Sequence, residues 1–335
     1  MIAIRTAILA VALSLAASPA TAAVRQPPQP KSGPGSNSAH AGFRVHAGGS
    51  GNDAWYVFEP TGPRPKSAPL AVVMHGYYEF AGYQNRYALL RHTARTGDVV
   101  IYPRWQTGVA NPCPGPFNIE PCMTSALKGI RGALAYLRAH PSSVQPQLSR
   151  TSYFGFSFGG IITANLANRW RSLHLPKPRA IFLDDPHDGG LVQGRDESAL
   201  DDSLAGIPST TLFQCHSGAE GVIRPQSKAN QSCNAVFPLL RQIPAKNKDL
   251  VMTRPDHPGT PALSSRHGVC AGRSADAYDW NFCWKVWDAL QECAYFNRYC
   301  RYALGNTPEH RNLGRWSDGR PIIPLKIQDR APIRP

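Results

Sequence analysis

The segment 151–162, TSYFGFSFGGII, constrains the fold of this chain more than any other stretch. Its first half has the aromatic and β-branched character of a strand, and its second half runs into an apolar helix. Ser157 stands between them, with Gly155 and Gly159 two positions away on either side. A strand that enters a helix through Gly-x-Ser-x-Gly predicts a turn too sharp for larger residues at the glycines, which pushes the serine hydroxyl out of the sheet's edge. The N–H of Phe158 then faces the same place and can stabilise an oxyanion. The alternative interpretation of the glycines is a packing contact.

Strand and helix signals alternate along the rest of the chain, which predicts an α/β fold with a mostly parallel sheet covered on both faces. The sequence predicts strands at 53–60, 70–76, 98–105, 151–157, 179–186, 210–217 and 249–255, and helices at 83–97, 126–140, 159–170 and 277–296. Two inserts follow predicted strand ends, at 106–122 and 187–209. Because open α/β sheets bind ligands at that edge, the inserts either cover a site or are long surface loops.

The N-terminal residues predict an exported protein. Arg5 precedes an apolar run and the small residues Ala20-Thr21-Ala22, so 1–22 has the pattern of a secretory signal peptide rather than of a membrane span. A buried N-terminal helix is the alternative. The Pro-, Gly- and Ser-rich residues 23–42 predict a disordered linker, and residues 43–335 predict a single domain.

Eight cysteines accompany this export signal, and an even number in an exported chain predicts disulfides. The sequence leaves the pairing open, but bonds between neighbours would close short loops, and we predict Cys113–Cys122, Cys215–Cys233, Cys270–Cys283 and Cys293–Cys300. No C-x-x-C is present and the spacings match no zinc finger or ribbon, so we expect no metal and no cofactor.

The net charge of +14 falls to about +13 once the signal peptide and its Arg5 are removed. Lys and Arg are scattered, with no run of five, and aromatic residues do not alternate with them. This pattern predicts a solvated basic surface that is attracted to anionic surfaces rather than a nucleic-acid site. We expect a monomer.

A second oxyanion donor is predicted from LAVVMHGYY at 70–78, where a strand ends at His75-Gly76. The N–H of Tyr77 follows directly. His75 is interpreted as a structural histidine, because a histidine this early in the chain does not serve as the base in this topology. With the Gly155–Gly159 turn and the strand order, these residues resemble the α/β-hydrolase superfamily over about 53–300. The resemblance implies a serine esterase or lipase with a triad in the chain order Ser, acid, His.

The acid has two candidates. Asp185 follows a predicted strand, and its segment DDPHDGG is similar to one in plant chlorophyllases and related esterases, where the equivalent aspartate is the acid. Glu220, in EGVIRP, lies one strand later, where most superfamily members carry their acid. We prefer Asp185. Its neighbour Asp184 is expected to point to the other face, and Asp188 to be a turn residue.

The base also has two candidates. His257 comes a few residues after the last strong strand, where the superfamily often places its histidine, whereas His267 lies in a loop that Cys270 could anchor. We prefer His267. His216, beside a strand end, is interpreted as structural.

Aromatic residues cluster near the predicted site, and Tyr78, Phe156 and Trp105 are the predicted substrate contacts, with Phe117 close by. The sequence therefore predicts a secreted or periplasmic serine hydrolase that cleaves carboxylic esters of a lipid, a polyester or a small aryl or alkyl ester. The alternatives are a serine peptidase of the same fold and a non-catalytic binding protein on a hydrolase scaffold.

Overall fold

A computed structural model describes residues 23–36, 39–113, 118–187, 199–220, 232–270 and 274–335. The predicted signal peptide, Phe117 and Asp188 lie outside the described residues.

Within these ranges a single sheet of nine strands runs through the molecule. The strands are β1 Gly42–Gly48, β2 Trp55–Thr61, β3 Ser67–Met74, β4 Val99–Pro103, β5 Gln145–Phe156, β6 Pro178–Asp184, β7 Leu212–Gly218, β8 Lys248–Thr253 and β9 Lys326–Gln328. Their order is β1-β2-β4-β3-β5-β6-β7-β8-β9. The strands from β4 to β8 in this order are parallel, while β1, β2 and β9 run antiparallel to their neighbours. The mostly parallel sheet is thus confirmed.

Helices cover both faces of the sheet. They are α1 Tyr87–Thr96, α2 Glu120–Ala139, α3 Phe158–Asn168, α4 Cys233–Val236, α5 Trp284–Phe296 and α6 Pro308–Arg311. Short 3-10 segments lie at Gly51–Asp53, Tyr83–Arg86, Phe237–Leu239, Ala245–Asn247 and Cys300–Tyr302, and a π-helical turn, Asp279–Cys283, leads into α5.

Two hydrophobic cores lie on opposite faces of the sheet, because successive side chains of a strand point to opposite faces. Val72 of β3 belongs to the core that α2 and α3 cover, whereas the adjacent Val73 belongs to the core that α1 and α5 cover. Strand β4 is buried at every position, which explains its wholly apolar sequence VVIYP, and β3 is buried from Leu70 to Met74.

The element bounds differ from the sequence prediction in places. β1 was not predicted, and α2 begins at Glu120 rather than at 126. The predicted helix 277–296 starts as the π-helical turn. The helix predicted at 83–97 does end before Gly97, which adopts a φ of 124° that larger residues rarely adopt.

Four disulfides join the cysteines in the predicted neighbour pairs, so no cysteine is free in the described chain, which includes all eight positions. Four disulfides in one chain are typical of proteins from an oxidising, extracellular or periplasmic environment.

Among the described residues, no helix combines the length and the apolar character needed to span a bilayer.

Residues 23–36, for which composition predicted a linker, make specific contacts in the structure. The carbonyl of Val24 accepts a hydrogen bond from Thr260 N–H at 3.0 Å, and Gln26 Oε1 accepts one from Ala277 N–H at 2.9 Å. Gly35 N–H donates to Asp288 at 2.8 Å. Composition alone gave no signal for these long-range contacts.

Candidate active site

Ser157 occupies the turn between β5 and α3 with φ 53° and ψ −126°, a conformation that non-glycine residues rarely adopt. Backbone hydrogen bonds hold it there. Its N–H donates to the carbonyl of Asp184 at 3.0 Å, and its carbonyl accepts from Gly160 at 2.9 Å and from His187 at 2.8 Å. Only 5 % of the serine remains exposed. Hydrogen bonds from neighbouring elements therefore hold the strained backbone of Ser157, and this backbone sets the position of its hydroxyl.

The glycines beside Ser157 are required by close backbone approaches. A Cβ at Gly155 would lie 2.6 Å from the carbonyl oxygen of Gly159, and a Cβ at Gly159 would overlap the carbonyl oxygen of His75. Gly76 is equally restricted, because a Cβ there would lie 2.7 Å from the Phe156 ring. The turn at Ser157 is thus packed directly against the loop that follows β3.

The structure brings Ser157, His267 and Asp185 together. Ser157 Oγ lies 2.9 Å from His267 Nε2, a hydrogen bond in which the hydroxyl donates when the neutral imidazole carries its proton on Nδ1. On the other side of the ring, Nδ1 lies 3.7 Å from Asp185 Oδ2. That distance is longer than a hydrogen bond, as is common for catalytic groups before substrate binds. The Ser157 hydroxyl, the His267 imidazole and the Asp185 carboxylate therefore lie next to one another in that order.

Asp185 follows the last residue of β6 and adopts a positive φ of 44°. Its N–H donates to the carbonyl of His216 at 2.8 Å, and its Oδ1 accepts from Gly218 N–H at 3.0 Å. The carboxylate is completely buried. Backbone groups of the neighbouring strand β7 thus aim it at His267.

A second, fully buried chain of polar groups lies beneath the loop that carries His267. Asp184 Oδ1 lies 2.7 Å from His216 Nδ1, and His216 Nε2 lies 3.0 Å from Thr253 Oγ1. Thr253 Oγ1 in turn lies 2.7 Å from Ser265 Oγ. The side chains of Asp184 and His216, which were predicted to point away from the site and to be structural, bind each other in this group.

The two less favoured candidates lie elsewhere. His257 is exposed, and no contact with Ser157 is found for it in the described ranges. Glu220 Oε2 accepts a hydrogen bond from Ser265 N–H at 3.1 Å, and the Glu220 N–H donates to the Ser265 carbonyl at 2.9 Å. Glu220 therefore fastens the loop of His267, while Asp185 is the carboxylate that faces the ring.

The predicted oxyanion donors belong to two segments that meet at Ser157, the start of α3 and the turn after β3. Phe158 is the first residue of α3, so its N–H has no acceptor within that helix. Tyr77 lies in the tight turn after β3, where the N–H of Glu79 donates to the Gly76 carbonyl at 3.1 Å. The Tyr77 ring is buried against that of Phe158, with centroids 5.3 Å apart.

His75 supports this turn from behind. Its ring stacks on that of Trp105 with centroids 4.4 Å apart, and its Nδ1 lies 2.8 Å from the Gly76 carbonyl oxygen. Burial lowers the pKa of His75, so the ring is neutral at physiological pH.

The predicted substrate contacts separate into surface and buried residues. Tyr78 is 58 % exposed beside the turn, whereas Phe156 is 7 % exposed and its ring lies 4.7 Å from that of His267. Trp105 is completely buried between His75 and Phe158, so in the described structure it has no surface for a substrate. It packs behind the turn of residues 76–79 instead. The sequence did not show that its ring would stack on His75.

Sequence reasoning missed three residues at the site. His187 lies with its ring 5.9 Å from that of His267. Glu79 and Arg86 form an ion pair at the turn of residues 76–79, in which Arg86 is fully buried. The only signal in the sequence for this ion pair was the position of Glu79, three residues after Gly76.

Comparison with known proteins does not assign the chain to a family. A scan against protein-family models and a search of the curated proteins both gave no match to the chain.

Proposed function

We propose that the protein is a serine hydrolase of the α/β-hydrolase type that cleaves carboxylic esters through an acyl-enzyme. The observation that carries the proposal is the 2.9 Å contact between Ser157 Oγ and His267 Nε2 on a strained strand-to-helix turn. The carboxylate of Asp185 behind the ring supports the same assignment.

In the proposed reaction, His267 Nε2 takes the proton of Ser157 as the oxygen attacks the ester carbonyl. The N–H groups of Tyr77 and Phe158 stabilise the negative charge that forms on the carbonyl oxygen. His267 then gives the proton to the departing alkoxide, which leaves as an alcohol, and Ser157 holds the acyl group. Water attacks the acyl-enzyme with His267 again as the base, which releases the acid and restores the serine. Asp185 keeps the imidazole oriented and stabilises its charged form.

The α/β-hydrolase type is proposed because of chain order and position. Ser157, Asp185 and His267 follow one another in the order that this superfamily uses. They lie after β5, β6 and β8, at the carboxyl edge of the parallel strands, where open α/β sheets place their sites. The cytoplasm keeps thiols reduced, so we also propose that residues 1–22 direct export.

A fluorophosphonate probe tests the serine chemistry directly. We expect the wild-type protein to be labelled and to hydrolyse p-nitrophenyl butyrate, and Ser157→Ala to lose both properties. His267→Ala should lose nearly all turnover, whereas the matched variant His257→Ala should retain it. A folded wild-type protein that is neither labelled nor active would reject the proposal and favour a binding protein.

Substrate class is tested with paired ester and amide substrates of the same acyl group. We expect p-nitrophenyl esters to be cleaved and the corresponding p-nitroanilides to be left intact. Faster cleavage of peptide anilides would show a serine peptidase instead.

A further inference from the structure

Glu79 and Arg86 form a buried ion pair at the turn of residues 76–79, called here the oxyanion turn because it carries the proposed donor Tyr77. Arg86 Nε donates to Glu79 Oε2 and Nη2 donates to Oε1, each at 2.8 Å, so the guanidinium binds the carboxylate with two parallel hydrogen bonds. The Arg86 side chain is completely buried and that of Glu79 is 14 % exposed. Paired donors of this kind fix the orientation of both groups.

The carboxylate of this pair also holds the backbone of the turn. Glu79 Oε2 accepts a hydrogen bond from Gly76 N–H at 2.9 Å, and the Glu79 N–H donates to the Gly76 carbonyl at 3.1 Å. These two bonds fix the peptide groups on both sides of Gly76. The second of these peptide groups contains the N–H of Tyr77, the proposed oxyanion donor.

The guanidinium of the pair reaches the other half of the site through Phe156. Arg86 Cζ lies 3.7 Å from the centroid of the Phe156 ring, a distance at which the cation is attracted to the aromatic face. The ring of Phe156 lies 4.7 Å from that of His267. One buried cation thus contacts both the oxyanion turn and the ring that packs against the proposed base.

The contacts of the guanidinium fix its orientation. Nε and Nη2 of Arg86 bind the Glu79 carboxylate, and Cζ lies over the ring of Phe156. The same side chain is therefore held by the turn that follows β3 and by the residue before Ser157.

Glu79 remains charged in this environment. Burial raises the pKa of its carboxyl, but the charge and hydrogen bonds of Arg86 and the hydrogen bond from Gly76 outweigh burial, and the pKa lies below its ordinary value. The pair is therefore present as an ion pair across the neutral pH range.

We infer that Glu79 and Arg86 are positioning residues: their ion pair holds the Tyr77 N–H toward the developing oxyanion and, through Phe156, holds the ring of His267 against Ser157. This inference rests on the proposed ester hydrolysis. The pair orients groups that act on the developing oxyanion and on the proton transfer, so its contribution belongs to the transition state. Loss of the pair should lower kcat and leave KM nearly unchanged.

The test compares Glu79→Gln and Arg86→Lys with wild type, each normalised to the sites that a fluorophosphonate titrates. Glutamine retains an acceptor for Gly76 but not the charge, and lysine retains the charge but not the two parallel bonds. We expect kcat for p-nitrophenyl butyrate to fall roughly 10- to 100-fold per titrated site, with KM within about twofold. Affinity for a trifluoromethyl ketone, whose adduct with Ser157 carries an oxyanion, should fall by the same factor.

Glu59→Gln is the matched control. Glu59 is a completely buried carboxylate on β2 that pairs with His46 at 2.9 Å and Arg64 at 3.4 Å, away from the site. Its variant should lower the melting temperature and leave kcat per titrated site unchanged.

Three outcomes separate the possibilities. Wild-type kcat and ketone affinity in both Glu79→Gln and Arg86→Lys would overturn the inference, while the ester hydrolase itself would stand. A wild-type protein without labelling would instead reject the proposed function. Where the charge variants do not fold, Phe156→Leu decides, because it removes the aromatic ring that links Arg86 to His267 but keeps the ion pair. It should lower kcat roughly 10-fold, and an unchanged kcat would overturn the inference.

Discussion

One oxygen of Asp185 is satisfied by the backbone, and the other faces His267. Oδ1 accepts the Gly218 N–H at 3.0 Å, whereas Oδ2 is buried, has no hydrogen-bond partner among the described residues and lies 3.7 Å from His267 Nδ1. A buried carboxylate oxygen without a partner is costly. A small approach of the imidazole would satisfy it and would at the same time orient the ring for proton transfer.

Asp185→Asn tests this relationship. An asparagine of the same shape keeps the packing but no longer stabilises the charged imidazole, so kcat should fall on the order of 10⁴-fold, with little change in KM. Steady-state kinetics on p-nitrophenyl butyrate measure both values. Glu220→Gln is the control, and we expect it to stay within about tenfold of wild type because Glu220 bonds the loop backbone rather than the ring. A larger loss in Glu220→Gln than in Asp185→Asn would show that the acid was assigned to the wrong residue.

Parts of this site were predictable from the sequence because they depend on local chemistry. The glycines around Ser157 are dictated by backbone contacts over a few residues, so the pattern alone predicted the turn. The choice between His257 and His267 depends on the path of a loop after β8, which no local pattern determines. The sequence placed Trp105 at the surface of the site, since an aromatic residue after a strand gives no sign of whether its ring faces solvent or stacks behind a turn.

Thr253→Val tests the buried polar chain beneath the loop of His267. The valine has the same shape but no hydroxyl, so His216 Nε2 loses its partner, and Ser265 Oγ loses one contact but keeps its hydrogen bond to the carbonyl of residue 253. We expect the free energy of unfolding in urea to fall by about 1–3 kcal/mol and kcat to fall as well, because Ser265 lies two residues before His267.

Thr211→Val is the control for this experiment. Thr211 is equally buried, and its hydroxyl donates to the carbonyl of Pro178 at 2.9 Å, far along the sheet from the loop. It should lose stability without a change in kcat per titrated site. Equal kcat values in the two variants would show that the buried polar groups beneath the loop contribute to stability alone.

The Cys270–Cys283 disulfide joins the loop of His267 to the start of α5, with a sequence separation of 13. Replacing both cysteines with serine should cost about 3 kcal/mol of stability, because the unfolded chain regains the freedom of a loop of that length. Cys270 lies three residues after His267, so kcat should also fall. The double serine variant of Cys293 and Cys300, a bond near the other end of α5, should lose stability but keep its kcat. Loss of kcat in both variants would contradict a specific role of the loop.

Asp98 provides a test of pH-dependent stability that is separate from catalysis. It lies before β4, buried beside Asp288 and Glu292, and its carboxylate accepts a hydrogen bond from Gln291 at 2.5 Å. Burial, together with the neighbouring negative charges, raises the pKa of Asp98 from 3.8 to about 7. Between about pH 4 and 7 the folded protein therefore holds a proton that the unfolded chain has released, so this group's contribution to stability falls as pH rises. The steepest loss is about 1.4 kcal/mol per pH unit.

Asp98→Asn removes this titration and retains the amide oxygen as an acceptor for Gln291. Measured by urea unfolding from pH 4 to 8, the stability of the variant relative to wild type should rise up to about pH 7 and then level off, because other titrating groups contribute equally to both proteins. A constant difference across this range would show that Asp98 ionises in the folded protein as it does in the unfolded chain, and that burial beside Asp288 and Glu292 does not control its charge.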